Sequence, residues 1–139
     1  MHILDTDTLT HLHAGQPRVA HRLGELTDSD VGVTLITKIE ILRGRYDYLL
    51  KAATGLDLLK AQQLLARTEA LLDLLLVVPF NEVAANHFDQ FRKVKGLRKI
   101  GRADLLIASI VLAYRATLAT RNVRHFQQIP NLIVTNWVD

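Results

Sequence analysis

Acidic residues at three places along the chain have the type and setting to bind a metal ion. Asp5 and Asp7 directly follow a short apolar stretch, Met1 to Leu4, and further carboxylates stand at Glu40 and Asp104 within apolar segments. A carboxylate taken out of water without a partner destabilises the fold, and a second one nearby makes this worse. A bound cation relieves the repulsion, and oxygen ligands without cysteine or paired histidines favour Mg²⁺ or Mn²⁺. Such an ion activates water and stabilises charge on a phosphate, which is the chemistry of metal-dependent nucleases.

Each of these acids also has a purely structural explanation. The segment Thr37 to Glu40 has the pattern of a capping box, in which the glutamate side chain accepts a hydrogen bond from the threonine amide. Asp104 lies in a predicted first helical turn, where the helix dipole favours an acid. Thr6 or Asp7 could cap a helix that begins near Thr8. These explanations stay open for each acid alone, but they do not predict that acids from distant segments share one edge of a sheet.

The elements that position the acids alternate between strands and helices. Apolar runs bounded by turn or cap residues predict strands at His2 to Leu4, Val31 to Ile36, Leu75 to Val78, Thr117 to Ala119 and Leu132 to Val134. Helical spacing is found at Leu9 to His13, Val19 to Thr27, Lys38 to Leu50, Leu56 to Leu74, Glu82 to Lys95 and Arg102 to Arg115. Because parallel strands need crossover connections, the predicted fold is α/β, with three layers (α/β/α) and a central parallel sheet of about five strands.

The candidate residues all map to one edge of this sheet. Asp5 closes the first predicted strand, Glu40 lies one turn into the helix after the second, and Asp104 begins the helix before the fourth. Asn122 follows the fourth strand. In sheets of this class, ligands collect at the carboxyl ends of the strands. We therefore expect these four side chains, which are far apart in the sequence, to converge on one rim.

The composition fits a single globular domain over residues 1–139. Hydrophobic residues make up 49% of the chain and charged residues 22%, which argues against disorder. The chain has no cysteine, so disulfides, thiolate nucleophiles and cysteine zinc sites are excluded. No apolar run is long enough to cross a bilayer, and the N-terminus lacks the pattern of a signal peptide. We expect a soluble, cytoplasmic protein.

Basic residues in the second half of the chain suit a polyanionic partner. The net charge is only +3, but cations cluster between residues 92 and 102 and again from residue 121. Each phosphate that such a patch neutralises releases a counterion, which favours nucleic acid. A solvated helix end and loop explain the same run, so the patch alone decides nothing. The residues predicted to contact nucleic acid are Arg98, Lys99, Arg102, Arg121 and Arg124.

The segment Leu56 to Leu72 places its leucines on a wide stripe of one helix, with Asp57, Lys60 and Arg67 off the stripe. Most such stripes pack in the core. An exposed leucine ridge on a small protein instead contacts a partner or a second copy of the chain. Both interpretations are open from the sequence.

Together, these motifs resemble those of PIN-domain ribonucleases, and the closest match is the VapC toxin branch. The resemblance runs from Met1 to Trp137 and rests on the order and spacing of Leu4-Asp5-Thr6-Asp7, Thr37-Lys38-Ile39-Glu40-Ile41, Ile100-Gly101-Arg102-Ala103-Asp104, and Thr120-Arg121-Asn122 with His125-Phe126. It implies endonucleolytic cleavage of RNA, usually tRNA or rRNA, with Mg²⁺ or Mn²⁺. It also implies a homodimer that is inhibited by a cognate VapB-type antitoxin, whose peptide covers the acidic pocket.

The resemblance also implies a role for each acid. Asp5 matches the first acid of the family motif and Asp104 the third, the two that most often contact the metal directly. Glu40 matches the second acid, which acts through metal-bound water. Asn122 falls at or beside the fourth position, where Asp is more common, so the site loses a formal charge. Asp7 stands where the family often has Asn and could restore some of that charge.

Two other functions compete with this interpretation. The run Asp5-Thr6-Asp7-Thr8-Leu9 also fits the Asp-x-Asp-x-Thr signature of haloacid dehalogenase-type phosphatases, in which the first Asp is a nucleophile. Asp104, which begins a helix after a glycine, is in the wrong setting for the later acids of that class. A nuclease fold that binds RNA or a protein without cutting is the second alternative. Asn122 favours it, and the three intact acids oppose it.

The histidines show no spacing that is typical of a metal site. His11 and His13 are close in the sequence, but a helix points them in different directions. We expect solvated or packing histidines, with a contact between His125 and RNA as the alternative.

Overall fold

The computed structural model describes residues 1–26 and 30–139. Within these residues, five strands form one parallel sheet in the order β3-β2-β1-β4-β5. The strands are β1 (His2–Leu4), β2 (Val31–Thr34), β3 (Leu76–Val78), β4 (Thr117–Ala119) and β5 (Ile133–Thr135). The predicted three-layer fold with a central parallel sheet is confirmed.

Helices connect the strands and cover the sheet. They are α1 (Thr6–His13), α2 (Pro17–Glu25), α3 (Leu35–Leu50), α4 (Gly55–Leu74), α5 (Glu82–Arg92), α6 (Arg102–Ala113) and α7 (Val123–Phe126). A 3₁₀ turn, Lys95–Leu97, lies between α5 and α6. The central strand β1 pairs with β2 and β4, and its last residue, Leu4, is opposite Val33 and Ala119. Because all strands run in one direction, the segments that follow them emerge at the same edge.

Successive side chains of a strand point to opposite faces of the sheet, and here both faces are buried. Ile3 and Leu118 belong to the core on the face covered by α5 and α6. Leu4 and Ala119 belong to the core on the other face, which α1, α2 and α4 cover. All four side chains are fully buried. Burial on both sides explains why these strands are continuous apolar runs and not alternating ones.

Strand β2 ends two residues earlier than predicted. Thr34 caps α3, because its hydroxyl accepts a hydrogen bond from the amide of Thr37 at 3.1 Å, so the next two residues are helical. Within β2, Gly32 lies against β3 so closely that a Cβ would come within 2.7 Å of the carbonyl oxygen of Leu76. Glycine at this position allows the two strands to pair.

Other boundaries also differ from the prediction. Helix α1 begins at Thr6, because Asp5 caps it. Helix α6 ends before Arg115, whose backbone takes the left-handed conformation with φ of 53°. The predicted end of the second helix, Thr27, lies outside the described residues, and α2 ends at Glu25. Helix α7 was not predicted, since four residues are too few to show a helical pattern.

Helix α4 leaves much of its leucine stripe at the surface. Leu72 is buried, whereas Leu56 and Leu59 are 62% and 58% exposed and Leu74 is 85% exposed. The stripe therefore supplies more apolar surface than the core uses, which favours a partner surface. Even with these leucines, no helix in the described part of the chain has the length and apolar character that a bilayer crossing requires.

Candidate active site

The four predicted catalytic residues line one cleft at the carboxyl edge of the sheet. The cleft has a volume of about 500 Å³. Its lining consists of Asp5, Thr6, Asp7, Glu40, Asp104, Arg121, Asn122 and Phe126. We refer to it as the acidic cleft. The fold thus brings together side chains from four segments that are distant in the sequence, as expected.

Asp5 is the most buried acid of the cleft, with 7% of its surface exposed. Its Oδ1 accepts a hydrogen bond from the amide of Thr8 at 2.8 Å, so Asp5 caps α1 and the alternative in which Thr6 or Asp7 caps this helix is wrong. Burial raises the pKa of Asp5 above its ordinary value of 3.8, although hydrogen bonds from Thr120 and Thr8 act in the opposite direction. The ionised form of this carboxyl is therefore destabilised.

Glu40 reaches the acidic cleft from the second turn of α3. Its Oε1 accepts a hydrogen bond from the hydroxyl of Thr6 at 2.7 Å, and Thr6 Oγ1 also lies 3.0 Å from Thr37 Oγ1. The capping-box alternative is wrong, because the hydroxyl of Thr34 already accepts the hydrogen bond from the Thr37 amide. A residue of α1 therefore holds the Glu40 side chain at the cleft.

Asp104 lies in the first turn of α6. Burial raises the pKa of Asp104 above 3.8, and the charges of Asp5 and Glu40 raise it further. His125 lowers it, because its Nε2 lies 3.2 Å from Asp104 Oδ2. Asp104 is thus close enough to Asp5 and to Glu40 to be repelled by both across the cleft, although the three acids belong to different elements.

His125 belongs to the site, although the sequence indicated a solvated or packing residue. Its side chain is 23% exposed, and its ring meets that of Phe126 edge-on with centroids 5.4 Å apart. The contact between His125 and Asp104 joins α6 to α7, and no local pattern encodes it. The one signal in the sequence is the spacing of three residues from Asn122, which suits a single helical turn.

Asn122 and Asp7, the residues that differ from the family pattern, both line the acidic cleft. The backbone amide of Asn122 donates to the hydroxyl of Thr120 at 3.0 Å, and its side chain makes no capping hydrogen bond. The side chain of Asp7 is 55% exposed, and its Oδ2 lies 3.6 Å from His11 Nε2. Both positions are therefore placed to contribute oxygen atoms to the cleft.

The predicted nucleic-acid contacts fall in different places. Arg121 lines the acidic cleft, and its Nε lies 3.3 Å from Asp139 Oδ2. Arg98 and Arg102 line a neighbouring groove. Lys99 and Arg124 are exposed and line neither. Of these five residues, the structure brings Arg121 alone to the acids.

The donor set of the acidic cleft fits a divalent cation. Asp5, Glu40 and Asp104 supply carboxylate oxygens and Asn122 an amide oxygen, which are donors that Mg²⁺ and Mn²⁺ prefer. A cation would offset the burial and the neighbouring negative charges that raise the pKa of Asp5 and of Asp104. Within residues 1–26 and 30–139, no three His, Asp or Glu side chains lie close enough together to hold a metal ion in this geometry. The acids therefore face one another across a cleft and do not form a preformed cage.

The parallel α/β fold and the carboxylate-lined cleft define a protein of the type found among metal-dependent nucleases. A comparison with known families matches residues 2–132 to the PIN domain. The chain therefore belongs to the PIN-domain family, as its motifs predicted.

Rickettsia felis and Haemophilus influenzae are among the bacteria with similar proteins. The chain is 38% identical over 81 residues to Ribonuclease VapC2 of Rickettsia felis, an alignment that spans 56% of this chain and 60% of that protein. It is 28% identical to Ribonuclease VapC1 of Haemophilus influenzae over 99% of this chain and 98% of that protein. Among solved structures, VapBC2 from R. felis bound to a DNA fragment from its promoter matches with a TM-score of 0.80, 26% identity and 98% coverage of both chains. The predicted resemblance to the VapC branch is confirmed.

Proposed function

We propose that this protein is a VapC-type endoribonuclease that uses Mg²⁺ or Mn²⁺ in the acidic cleft. The predicted class of enzyme is confirmed by the PIN-domain match and by relatives named as VapC ribonucleases, and haloacid dehalogenase chemistry is set aside. PIN-domain ribonucleases generally depend on a divalent metal. The observation that carries the metal site is the convergence of Asp5, Glu40 and Asp104 on one cleft.

The proposed roles follow from the surroundings of each acid. Asp5 and Asp104 hold the metal, because theirs are the ionised forms that burial destabilises most. A bound divalent ion activates water and stabilises the negative charge that develops on a phosphate. Glu40, held by the hydroxyl of Thr6, orients the attacking water for in-line displacement. Asn122 completes the donor set with a neutral oxygen, and Asp7, which lines the same cleft, supplies a fourth carboxylate.

RNA binding is proposed to depend on charge and shape. Arg121 lines the acidic cleft beside the acids, which supports a contact between its guanidinium and the backbone of the strand that is cut. Contacts to phosphate give affinity and register but no choice of sequence. Selectivity for a tRNA or an rRNA then comes from RNA shape or from exposed loops.

A VapB-type antitoxin is the proposed protein partner. The solved structures that match this chain include VapBC1 from H. influenzae as well as VapBC2 from R. felis. The exposed leucines of α4, among them Leu56, Leu59 and Leu74, supply apolar surface for an antitoxin or for a second copy in a homodimer.

The test is cleavage of bulk tRNA and rRNA by the purified chain. Cleavage should require Mg²⁺ or Mn²⁺ and stop with a chelator, and Asp5→Asn should abolish it while RNA binding persists. Asp89→Asn, which removes the same charge from an exposed position on α5, should leave cleavage unchanged. A chain that binds RNA but cuts none with either metal would instead be a binding module.

A further inference from the structure

A second groove borders the first turn of α6, next to the acidic cleft. It has a volume of about 220 Å³ and is lined by Arg92, Arg98 and Arg102 around the ring of Phe88. Arg102 of this groove and Asp104 of the acidic cleft are two residues apart in the same helical turn. We refer to this surface as the arginine groove.

Two of the arginines share one aromatic ring. The guanidinium carbon of Arg102 lies 5.2 Å from the ring centroid of Phe88, and that of Arg92 lies 5.6 Å away. Phe88 is 7% exposed and belongs to the core, so the position of the ring is fixed. A guanidinium over an aromatic face is attracted by the ring and still directs its N–H groups to an anion. The ring therefore orders two cations that would otherwise be mobile.

The arginines of the groove form no ion pair in the part of the chain that the structure describes. The helix dipole adds a partial positive charge at the N-terminus of α6, where Gly101 provides no side-chain acceptor. Three cations around one small groove repel each other, and an anion with several oxygen acceptors relieves that repulsion. Phosphate matches the fork of hydrogen-bond donors that arginine presents.

We infer that the arginine groove binds a backbone phosphate of the RNA substrate, on a nucleotide that flanks the phosphodiester cut in the acidic cleft. This inference rests on the proposed function. RNA is the occupant because a single turn of α6 presents Arg102 to the groove and Asp104 to the cleft. A polyanion that enters the cleft meets carboxylates, and the neighbouring cations offset that repulsion. The sequence had indicated Lys99 in this segment, whereas the structure places Arg92 at the groove instead.

Binding of labelled bulk tRNA at several salt concentrations tests the groove. The full chain carries Asp5→Asn throughout, which blocks cleavage and leaves α6 unaltered. Adding Arg92→Ala and Arg102→Ala should weaken binding about tenfold or more and lower the slope of log K against log salt by about 1 to 2. The matched control, Lys93→Ala with Lys95→Ala, removes two charges of the same segment outside the groove and should change affinity by roughly threefold at most.

Cleavage kinetics give a second readout in the chain with Asp5 intact. The Arg92→Ala and Arg102→Ala pair should raise KM with little change in kcat, because a flanking phosphate is held equally in the ground state and the transition state. A fall in kcat at unchanged KM would contradict a binding role.

The remaining outcomes distinguish a failure of the groove proposal from a failure of the proposed enzymatic function. Equal losses of tRNA affinity in the arginine and lysine pairs, or no loss in the arginine pair, would overturn phosphate binding by the arginine groove. Cleavage of RNA by the wild-type chain would still support the proposed function in that case. A wild-type chain that neither binds nor cuts RNA would overturn both. Displacement of tRNA by polyglutamate at equal charge would assign the groove to an acidic protein segment. Melting curves establish that both pairs of variants are folded before affinities are compared.

Discussion

The two clefts on either side of the first turn of α6 are opposite in charge and are built differently. In the acidic cleft, the carboxylates come from three elements, and each is held by a neighbour: Asp5 by the Thr8 amide, Glu40 by the Thr6 hydroxyl and Asp104 by His125. In the arginine groove, the cations come from the continuous segment 92–102 and are exposed, and two of the three lie over one ring. Catalysis requires groups at fixed positions, whereas backbone binding requires mainly charge.

The two clefts also relieve their repulsion in different ways. A buried carboxylate beside other acids can take up a proton or a metal ion, and burial raises the pKa of Asp5 and of Asp104. Arginine does not lose its proton in a protein, so the groove can be relieved by an anion or screened by salt. We therefore expect the acidic cleft to respond to pH and metal and the arginine groove to respond to salt.

The largest effect should come from Asp104→Asn. We expect cleavage of bulk tRNA to fall at least about 1,000-fold, because the change removes a ligand of the ion that stabilises charge on the phosphate. Asp57 occupies the same position in the first turn of α4, so Asp57→Asn is a matched control that should leave the initial rate unchanged. If Asp104→Asn kept more than about a tenth of the wild-type rate, Asp104 would have no part in the chemistry.

Metal binding should stabilise the folded chain. At a Mn²⁺ concentration of 100 times the dissociation constant, the free energy of unfolding should rise by about 2.7 kcal/mol. Thermal melting should show this rise in the wild type and in Asp57→Asn, and its loss in Asp104→Asn. Without metal at neutral pH, Asp104→Asn should be more stable than the wild type. An equal response to Mn²⁺ in both variants would place the ion outside the acidic cleft.

Replacement of His125 should have an intermediate effect. His125→Ala removes the partner of Asp104 Oδ2, and we expect cleavage to fall about 10- to 100-fold with weaker metal binding. His87→Ala is the control, since this ring stacks on Phe91 at 6.0 Å outside the acidic cleft. Calorimetry of Mn²⁺ binding checks the cause, because an activity loss at unchanged metal affinity would contradict a role through Asp104.

The smallest effect should be the pH dependence of stability without metal. Since the pKa of Asp5 and of Asp104 is raised from 3.8 in the folded state, the folded chain binds more protons than the unfolded chain above pH 3.8. The destabilisation is therefore absent below pH 3.8 and complete once the pH exceeds the raised values. Relative to the wild type, the Asp5→Asn and Asp104→Asn double variant should gain stability as pH rises, on the order of 1 kcal/mol or less.

Urea unfolding between about pH 3.5 and 7 measures this difference. The Arg92→Ala and Arg102→Ala pair should keep the wild-type pH dependence, because it leaves Asp5 and Asp104 in place. A difference in unfolding free energy between the wild type and the aspartate double variant that is the same at every pH would show that folding does not raise the pKa of these carboxyls.

Local patterns predicted most elements but not their ends. The predicted strand runs from Val31 through Ile36 because these residues form one apolar run. In the structure, the hydroxyl of Thr34 caps a helix inside that run. The capping-box pattern predicted a helix cap at Thr37, which is one turn after the observed cap at Thr34. Side-chain hydrogen bonds of this kind compete with strand pairing, and composition alone does not decide between them.

The sequence by itself determined that strands and helices alternate, and with it that Asp5, Glu40 and Asp104 share one edge, because parallel strands end on the same side of a sheet. Tertiary packing decided which neighbours hold those acids. The contacts from His125 and Thr6 join residues of different helices, and the ring of Phe88 gathers arginines into a separate groove. These contacts depend on how whole elements pack, which no short stretch of residues encodes.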